Sequence, residues 1–381
     1  MAASRRRSYD IMVLSWNTQS IKLAETLDNE VAEQHRSMIT IPGFDTKLST
    51  WIYRCKMPDF FETWVDKIKE TDPDIIIVGF QEDRYPGSYF HSHLLPVEMP
   101  KLGYALLKRT KLMGVGATSV KGLQGGDPFV RGIRISVYVK DALYGVIYAA
   151  EKELRLAIAN DGQDEYVCPP IAIRNKGTTA SYICLPGYGR IAILCCHLPF
   201  HADNILEQRT HQNDMLRQTE LNLINNYFNE SINLLVTKRN PVPAHVIFFG
   251  DFNYRVAYPG NASTIASLLS ENPTEDDLNN LYIKYDELYA QRAKENIYHF
   301  NEGIDNKGPV FLPTCKLDSE RKYRTGKQDH RIPSWCDRIL YKDFVQEDGH
   351  HLSCLYYDRF DVGETMALSD HAGVLAIFRL E

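Results

Sequence analysis

The feature that most constrains the fold is a series of short apolar runs that recurs from one end of the chain to the other. The runs are rich in Val, Ile and aromatic residues, and several show little alternation between apolar and polar positions. Such runs are typical of β-strands that are covered on both faces. They are Ile11–Trp16, Ile75–Phe80, Ile133–Val139, Ile191–Cys196, Val246–Phe249, Ile339–Tyr341 and Val374–Phe378.

Helical periodicity fills some of the intervals between these runs. Apolar residues from Phe60 to Ile68 follow the spacing of one helix face. Similar patterns predict a long helix over about 203–235 and a third over about 276–293, and a Pro-Gly turn at Gly187 predicts a hairpin. No repeat or linker divides the chain. We therefore expect packed sheets flanked by helices in one domain over residues 1–381, with residues 1–8 flexible.

Composition excludes several classes of protein. The 381 residues are 44% hydrophobic and 24% charged, which is typical of a globular chain. The formal net charge is −6, so the chain lacks the overall positive field that favours stable binding of nucleic acid. No apolar run is long enough to predict a transmembrane helix. The cysteines form no CxxC pair and no signal peptide is evident, so we expect reduced thiols and a cytoplasmic location.

Polar residues of catalytic type lie at or next to one end of six of the runs. They are Asn17, Gln81 with Glu82, His197, Asp251 with Asn253, Asp337, and the pair Asp370 and His371. One polar residue at a strand end is usually only a turn or a cap. Six such coincidences favour a functional interpretation, because strand ends line up along the rim of a sheet and can form one cleft.

These residue types suit metal-assisted hydrolysis. Glu82 and Asn17 offer the hard oxygen ligands that magnesium prefers. Asp251 can orient a water molecule or take its proton for in-line attack on phosphorus. Asn253 can donate a hydrogen bond to a phosphoryl oxygen as charge builds there.

Two histidines complete this candidate site. His197 and His371 can donate hydrogen bonds to a phosphate, His371 as an imidazolium. A carboxylate paired to His371 would fix its tautomer and raise its pKa, and either Asp337 or Asp370 could supply it.

Several of these residues fall within recognisable motifs. The segment from Phe248 to Arg255 (FFGDFNYR) resembles the first signature of the inositol polyphosphate 5-phosphatases, and Arg331 to Leu340 (RIPSWCDRIL) resembles the second. Shorter matches extend the resemblance from about Tyr9 to Leu380. The resemblance implies the α/β fold shared with magnesium-dependent endonucleases, a four-layer sandwich of two packed mixed β-sheets flanked by helices. It also implies hydrolysis of the 5-phosphate of soluble inositol polyphosphates or of phosphoinositides, such as phosphatidylinositol 4,5-bisphosphate or 3,4,5-trisphosphate.

The same resemblance implies a role for each residue. Glu82 would be the principal ligand of Mg²⁺, assisted by Asn17. Asp251 would activate water beside Asn253, His197 and His371 would hold the scissile phosphate, and Asp337 would orient His371. The candidates for binding the other phosphates are Lys176, Asn175, Lys316, Arg331, Lys327 and Arg324. The expected partners are an inositol phosphate or phosphoinositide headgroup and, transiently, a membrane surface; the oligomeric state stays open.

The chain departs from the family pattern at several positions. Gln328, Asp329 and His330 precede Arg331 where relatives carry a second basic residue, which leaves recognition of the 4-phosphate open. Cys315 replaces the usual Tyr of a Pro-Thr-Tyr-Lys motif. Gly373 replaces the usual Pro of a Ser-Asp-His-x-Pro-Val motif.

Three other interpretations compete with this one. One is a nuclease or other phosphodiesterase on the same scaffold, and another is a phosphoinositide-binding module without catalysis. The segment from Cys184 to Arg190 also has the C-x5-R spacing of cysteine phosphatases. That chemistry needs a helix after the loop, and here a strand-like run follows.

Overall fold

A computed structural model describes the chain over residues 7–19, 59–85, 94–115, 130–149, 154–157, 171–172, 176–198, 211–237, 242–324, 331–344 and 349–381.

The strands recur along the whole described chain, as the apolar runs predict. In chain order they are β1 (Tyr9–Asn17), β2 (Ile75–Tyr85), β3 (Tyr104–Val115), β4 (Val130–Lys140), β5 (Tyr148–Ala149), β6 (Leu154–Ala157), β7 (Ile171–Ala172), β8 (Gly177–Leu185), β9 (Gly189–His197), β10 (His245–Asp251), β11 (Asn301–Glu302), β12 (Asp337–Asp343), β13 (Leu352–Phe360) and β14 (Gly373–Leu380).

The helices lie between these strands. They are α1 (Asp59–Thr71), α2 (Leu95–Lys101), α3 (His211–Thr237), α4 (Ala262–Ser270), α5 (Glu275–Tyr285), α6 (Glu287–Ala293) and α7 (Gly363–Met366). Short 3₁₀ segments cover Asp141–Leu143 and Ile304–Asn306. Within the described ranges, no helix combines the length and the apolar composition needed to cross a bilayer.

Two mixed sheets form the centre of the molecule. The first has the order β13-β14-β1-β2-β4-β3-β7, and the second has the order β11-β12-β10-β9-β8-β5, with β6 also paired to β8. Each sheet contains a central parallel pair, β1 with β2 and β9 with β10, and antiparallel neighbours flank both pairs. The predicted class of two packed mixed β-sheets flanked by helices is confirmed.

Both faces of the central strands are buried, which explains their continuous apolar sequences. Successive side chains of a strand point to opposite faces. On β1, Ile11 and Val13 join the core between the sheets, whereas Met12 and Leu14 pack with Trp64 of α1 on the outer face. On the second sheet, Leu194 and Val246 pack outward with Phe228 of α3. The resulting order of layers is helix, sheet, sheet, helix.

The first two predicted helices and the hairpin are present. The long helix is observed as α3 over His211–Thr237, and residues 203–210 of the predicted range lie outside the described residues. The hairpin joins β8 and β9, and Leu185 pairs with Gly189 across its turn.

The third predicted helix, over about 276–293, is wrong in one respect because it is two helices. Asp286 interrupts it with extended backbone at φ −72° and ψ 123°. The Asp286 side chain caps α6 by accepting from the Tyr289 amide, and its other oxygen accepts from Arg338. These tertiary contacts outweigh the local helical pattern.

The run at Ile75–Phe80 also continues beyond its predicted end. β2 reaches Tyr85, but its register with β4 shifts between Phe80 and Asp83. Gln81 and Glu82 therefore lie at a β-bulge inside the strand rather than after it. A bulge can turn a side chain away from its regular direction, and Glu82 has a positive φ of 52° there.

Candidate active site

The ends of four central strands place polar residues on one edge of the two sheets. Asn17 ends β1 and pairs with Gln81 of β2. On the second sheet, Asp251 ends β10 and pairs with His197 at the end of β9 and with Asp337 at the start of β12. Parallel neighbours carry their carboxyl ends to the same edge, so these residues are near one another although they are far apart in sequence.

Asp251 connects the two sheets at this edge. Its Oδ2 atom accepts a 2.9 Å hydrogen bond from the Asn17 amide and lies 3.3 Å from Nε2 of His197. Its Oδ1 atom accepts from the backbone N–H of Asn253 at 3.0 Å. Burial alone would raise the pKa of Asp251, but the charges of His197, His371 and Lys176 overcome it and hold that pKa below its ordinary value. Asp251 is thus a buried carboxylate, ionised at neutral pH.

Glu82 reaches the same place from the bulge of β2. Its carboxylate lies 3.8 Å from Nε2 of His197, and the side chain is 16% exposed. Asp83, the next residue, resumes the strand and pairs with Arg134 at 3.0 Å. The bulge therefore separates the two carboxylates and directs that of Glu82 to the edge where Asp251 lies.

The donor set at this edge fits a magnesium ion. The Glu82 carboxylate is partly exposed, and the Asn17 side-chain oxygen, an acceptor with two lone pairs, accepts a backbone hydrogen bond from Gln19 at 3.0 Å. Magnesium prefers such oxygen ligands and keeps several water molecules, so it needs few protein groups.

His371 and Asp337 form a buried charged pair beside Asp251. Nδ1 of His371 lies 2.7 Å from Oδ2 of Asp337, which also accepts from the Thr314 hydroxyl at 2.7 Å. Burial lowers the pKa of His371, but the Asp337 carboxylate outweighs it, and the pKa rises to about 10. One atom of ligand type from each of Asp251, Asp337 and His371 lies within 4.8 Å of the others. His371 is therefore an imidazolium whose remaining ring nitrogen is free of Asp337.

Asp370 interacts mainly with cations rather than with the His371 ring. Its Oδ2 atom accepts from Nζ of Lys316 at 2.5 Å and lies 3.8 Å from Arg324, whereas its Oδ1 atom is 3.7 Å from Nε2 of His371. Burial raises the pKa of Asp370, but His371 and Lys316 bring it below the ordinary value. Of the two carboxylates considered for pairing with His371, Asp337 makes the hydrogen bond.

Lys176 brings a further positive charge to the edge. Its ammonium group contacts Nε2 of His197. Burial lowers the pKa of Lys176, and the nearby Asp251 and Glu82 carboxylates oppose that effect. Arg331 is partly buried at the start of its described segment. Asn175, Lys327 and the triplet 328–330 lie outside the described residues.

The C-x5-R segment does not form a phosphate-binding loop. Cys184 lies within β8, and the residues after it turn directly into β9. Since the turn leads into a strand, it provides no helix N-terminus to lower the thiol pKa or to hold a phosphate.

The comparisons with known proteins agree with this geometry. The sequence model of "Endonuclease/Exonuclease/phosphatase family 2" matches residues 130–377, well over half of the chain. The chain belongs to this family. The match includes β9, β10, β12 and most of β14, which carry or adjoin His197, Asp251, Asp337 and His371.

Curated relatives within this family confirm the predicted resemblance to the inositol polyphosphate 5-phosphatases. The chain is 32% identical over 145 residues to human phosphatidylinositol 3,4,5-trisphosphate 5-phosphatase 1, which covers 35% of this chain and 11% of that protein. It is 33% identical over 141 residues to type I inositol polyphosphate 5-phosphatase 5 of Arabidopsis thaliana, covering 36% of this chain and 23% of that one. The matched part is thus a small fraction of each relative.

Solved structures show that the fold is shared. The inositol polyphosphate 5-phosphatase domain of SpSynaptojanin, in complex with inositol (1,4)-bisphosphate and calcium, superposes with a TM-score of 0.60 at 19% identity, covering 98% of this chain and 84% of that one. The nitric oxide complex of Cimex nitrophorin superposes with a TM-score of 0.57 at 16% identity, covering 98% and 99%. Proteins with different ligands share this fold, so the fold alone does not identify a ligand.

Sequence reasoning missed the residues that hold the site residues of this family member in place. Thr314 binds Asp337, and the indole N–H of Trp16 donates to the backbone carbonyl of His371 at 3.1 Å. Arg255 donates to Oδ1 of Asn253 at 2.8 Å, while the Asn253 amide donates to the Leu198 carbonyl. Arg255 stands inside the first signature and Thr314 inside the Pro-Thr-Tyr-Lys motif, and that position was the one available signal for these two residues.

Proposed function

We propose that this protein is a magnesium-dependent phosphatase that removes the 5-phosphate from phosphoinositides or soluble inositol polyphosphates. The observation that carries the proposal is the arrangement at the sheet edge. The ionised carboxylate of Asp251 lies between Asn17 and His197, and the imidazolium of His371 lies beside it. The names of the curated relatives supply the substrate class.

Glu82 and Asn17 would hold the magnesium ion. When bound, the ion would supply positive charge to the phosphate and to the leaving oxygen. Glu82 is suited to this role because the bulge of β2 directs a partly exposed carboxylate to the site.

Asp251 orients the attacking water. Its pKa is held low, so it is a weak base in the free protein and takes the water proton only as the new bond to phosphorus forms. The hydrogen bonds from Asn17 and the Asn253 backbone fix the direction of the carboxylate. Such positioning lowers the barrier because the water is already aligned with the phosphorus before the reaction begins.

Two histidines hold the scissile phosphate. His371 donates Nδ1–H to Asp337, so the proton on Nε2 is available for a phosphoryl oxygen. His197 presents Nε2 between Lys176 and Asp251. Donors that are already in place as negative charge develops lower the barrier most, because they need no reorganisation during the reaction.

We expect the remaining phosphates of the substrate to bind five cationic residues and one side-chain amide. The candidates are Lys176, Asn175, Lys316, Arg331, Lys327 and Arg324. Lys316 is held by Asp370 in the free protein, so a substrate phosphate has to share it with that carboxylate. We also propose that residues 1–381 form one catalytic domain in the cytoplasm that meets the membrane surface transiently.

A phosphate-release assay tests the proposal. The panel contains inositol lipids in vesicles, their soluble headgroups and nicked DNA, each with magnesium and with excess chelator. We expect release from 5-phosphorylated inositols with magnesium and none with chelator. The Asp251→Asn variant should lose about 10²–10⁴-fold of this activity.

The alternatives give different results in the same panel. Cleavage of nicked DNA without release of inositol phosphate would indicate a nuclease. Binding of phosphoinositide vesicles without turnover of any substrate would indicate a module that binds only. Either result would refute the proposed activity.

A further inference from the structure

Two buried cysteines lie in contact directly behind the His371–Asp337 pair. The sulfur atoms of Cys315 and Cys336 are 3.0 Å apart, and neither residue is exposed to solvent. The S–S bond of a disulfide is about 2.05 Å long. The two sulfurs therefore need to approach each other by only about 1 Å to form one.

Backbone pairing holds the two cysteines close together, with Cys336 two residues beyond the position opposite Cys315. Cys315 and Ser334 exchange two backbone hydrogen bonds, of 3.2 and 2.9 Å, and Cys336 follows two residues later. Cys315 also pairs with the backbone of His371 in an isolated β-bridge. The segments are thus held in register close to each other, and a bond between the sulfurs requires them to approach by about 1 Å.

The surroundings make Cys315 the more nucleophilic of the two. The hydrogen-bond contact between the two sulfurs lowers the pKa of Cys315, and the positive charges of His371 and Arg255 assist, so that this pKa falls to about 7 despite burial. The Arg255 guanidinium lies 3.6 Å from the Cys315 sulfur. Burial raises the pKa of Cys336 instead. A thiol of lowered pKa in contact with a second thiol can form a disulfide with it, the first attacking the oxidant and the second resolving the product.

Cys195 shows that burial alone does not produce this chemistry. It is equally shielded from solvent, but its sulfur contacts the side-chain amide of Gln81 rather than a second thiol. Burial raises the pKa of Cys195 to about 12. Cys195 is therefore a matched internal control for the pair.

We propose that Cys315 and Cys336 are a site of reversible thiol oxidation by peroxide, and that the disulfide between them inhibits the enzyme. The thiolate of Cys315 attacks one oxygen of hydrogen peroxide, the O–O bond breaks, and hydroxide leaves and takes up the proton that Cys315 had lost. The Cys336 sulfur then attacks the sulfenic acid, which releases a second water and forms the S–S bond. Two thiols are oxidised and one peroxide is reduced to two waters.

The inhibitory effect rests on the proposed function, and its cause lies in the neighbouring residues. Thr314 precedes Cys315 and binds Asp337, which follows Cys336. A disulfide that draws the two segments together moves both ends of this hydrogen bond, and with them the support of His371. A misplacement of about 1 Å at a catalytic group can cost about 10²-fold in rate.

Peptide mapping of the full chain tests the modification itself. The reduced protein is treated with hydrogen peroxide, its remaining thiols are alkylated, and the digest is analysed without reductant. We expect a peptide that joins Cys315 to Cys336, has lost two hydrogens and is separated again by dithiothreitol, while Cys195 is alkylated as before. The proposal would be overturned if Cys195 were oxidised earlier than Cys315 and Cys336, or if Cys315 were oxidised to sulfinic acid without a cross-link.

Phosphate release measured on the same samples tests the inhibition. We expect activity to fall by about 10- to 100-fold on oxidation and to return with dithiothreitol, and the Cys315→Ala variant to resist peroxide. A cross-linked protein of full activity would refute the inhibitory role. If the reduced protein releases no phosphate from any inositol substrate, the proposed function fails, whereas the cross-link is still decided by the mapping.

Discussion

Replacing Asp337 by Asn tests the electrostatic basis of the candidate site. The Asn side chain keeps an oxygen that can accept from Thr314, but it removes the charge that holds the proton on His371. Burial lowers the pKa of His371, and in this variant the Asp337 charge no longer offsets that effect. We expect the His371 pKa to fall from about 10 to below its ordinary value of about 6.5.

The size of the effect follows from the shift. A rise from about 6.5 to about 10 corresponds to about 5 kcal/mol at about 1.4 kcal/mol per unit, an upper limit because Cys315 and Asp251 contribute part of it. The folded protein binds the proton more tightly than the unfolded chain. This stabilisation is therefore complete below about pH 6.5 and is lost as the pH rises through about 10.

Because the pKa of His371 is raised in the folded protein, two measurements can test its origin. The His371 contribution to the free energy of unfolding, taken as the difference between the unaltered protein and Asp337→Asn in urea titrations between pH 6 and 10, should fall as the pH rises, and the kcat of the unaltered protein should keep its His371-dependent part up to about pH 10. In Asp337→Asn, the part of the slope of unfolding free energy against pH that depends on His371 should vanish. The kcat of this variant should fall already above about pH 6, because the imidazole is neutral there.

The same strand pair offers a matched control. His245 and Asp343 form a 2.7 Å pair at the other end of β10 and β12, six residues from Asp251 and Asp337 in each strand. Asp343→Asn removes a similar carboxylate without touching the site, and the pH dependence of its kcat should match that of the unaltered protein. If the kcat of Asp337→Asn still fell only near pH 10, the assigned role of the Asp337 carboxylate would be wrong.

Three further predictions concern the metal, the cation at the rim and the core. Excess chelator should abolish phosphate release and magnesium should restore it, and Glu82→Gln should raise the magnesium concentration needed for half-maximal rate, measured by titration. Lys316→Ala should raise the KM for substrates with several phosphates more than for a monophosphate, since it removes a cation that Asp370 holds at the site; equal effects on both would contradict this placement. Arg338→Met should destabilise the fold by about 3–5 kcal/mol in urea titrations, because it removes the two hydrogen bonds that Arg338 donates to the buried Glu302 carboxylate and the one that it donates to Asp286.

The strands, and the polar residues that reach the sheet edge at the site, could be predicted because they depend on the local sequence. A strand buried on both faces needs apolar residues at every position, so Val246–Phe249 is recognisable without knowledge of its neighbours. The polar residue that ends such a strand is equally visible, and Asn17, His197 and Asp251 occupy these positions in the structure. The rule that parallel strands share an edge then places them together.

The bulge at Glu82 could not be predicted in the same way. The apolar run ends at Phe80, which indicates a strand end, yet β2 continues to Tyr85. A bulge is a mismatch in register between two strands, and its position depends on β4, about 50 residues later in the chain. The direction of the Glu82 carboxylate therefore depends on a long-range pairing that the local sequence does not encode.

The pairings within the site depend on residues still further apart. Trp16 binds the His371 carbonyl across 355 positions of sequence, and Asn17 binds Asp251 across 234. Both contacts join a residue of β1, in the first sheet, to a partner from another part of the chain. The sequence thus predicts which residues reach the edge, whereas the packing of the two sheets decides that Asp337 rather than Asp370 holds His371. A substitution that shifts one sheet on the other should accordingly impair the site while leaving each sheet intact.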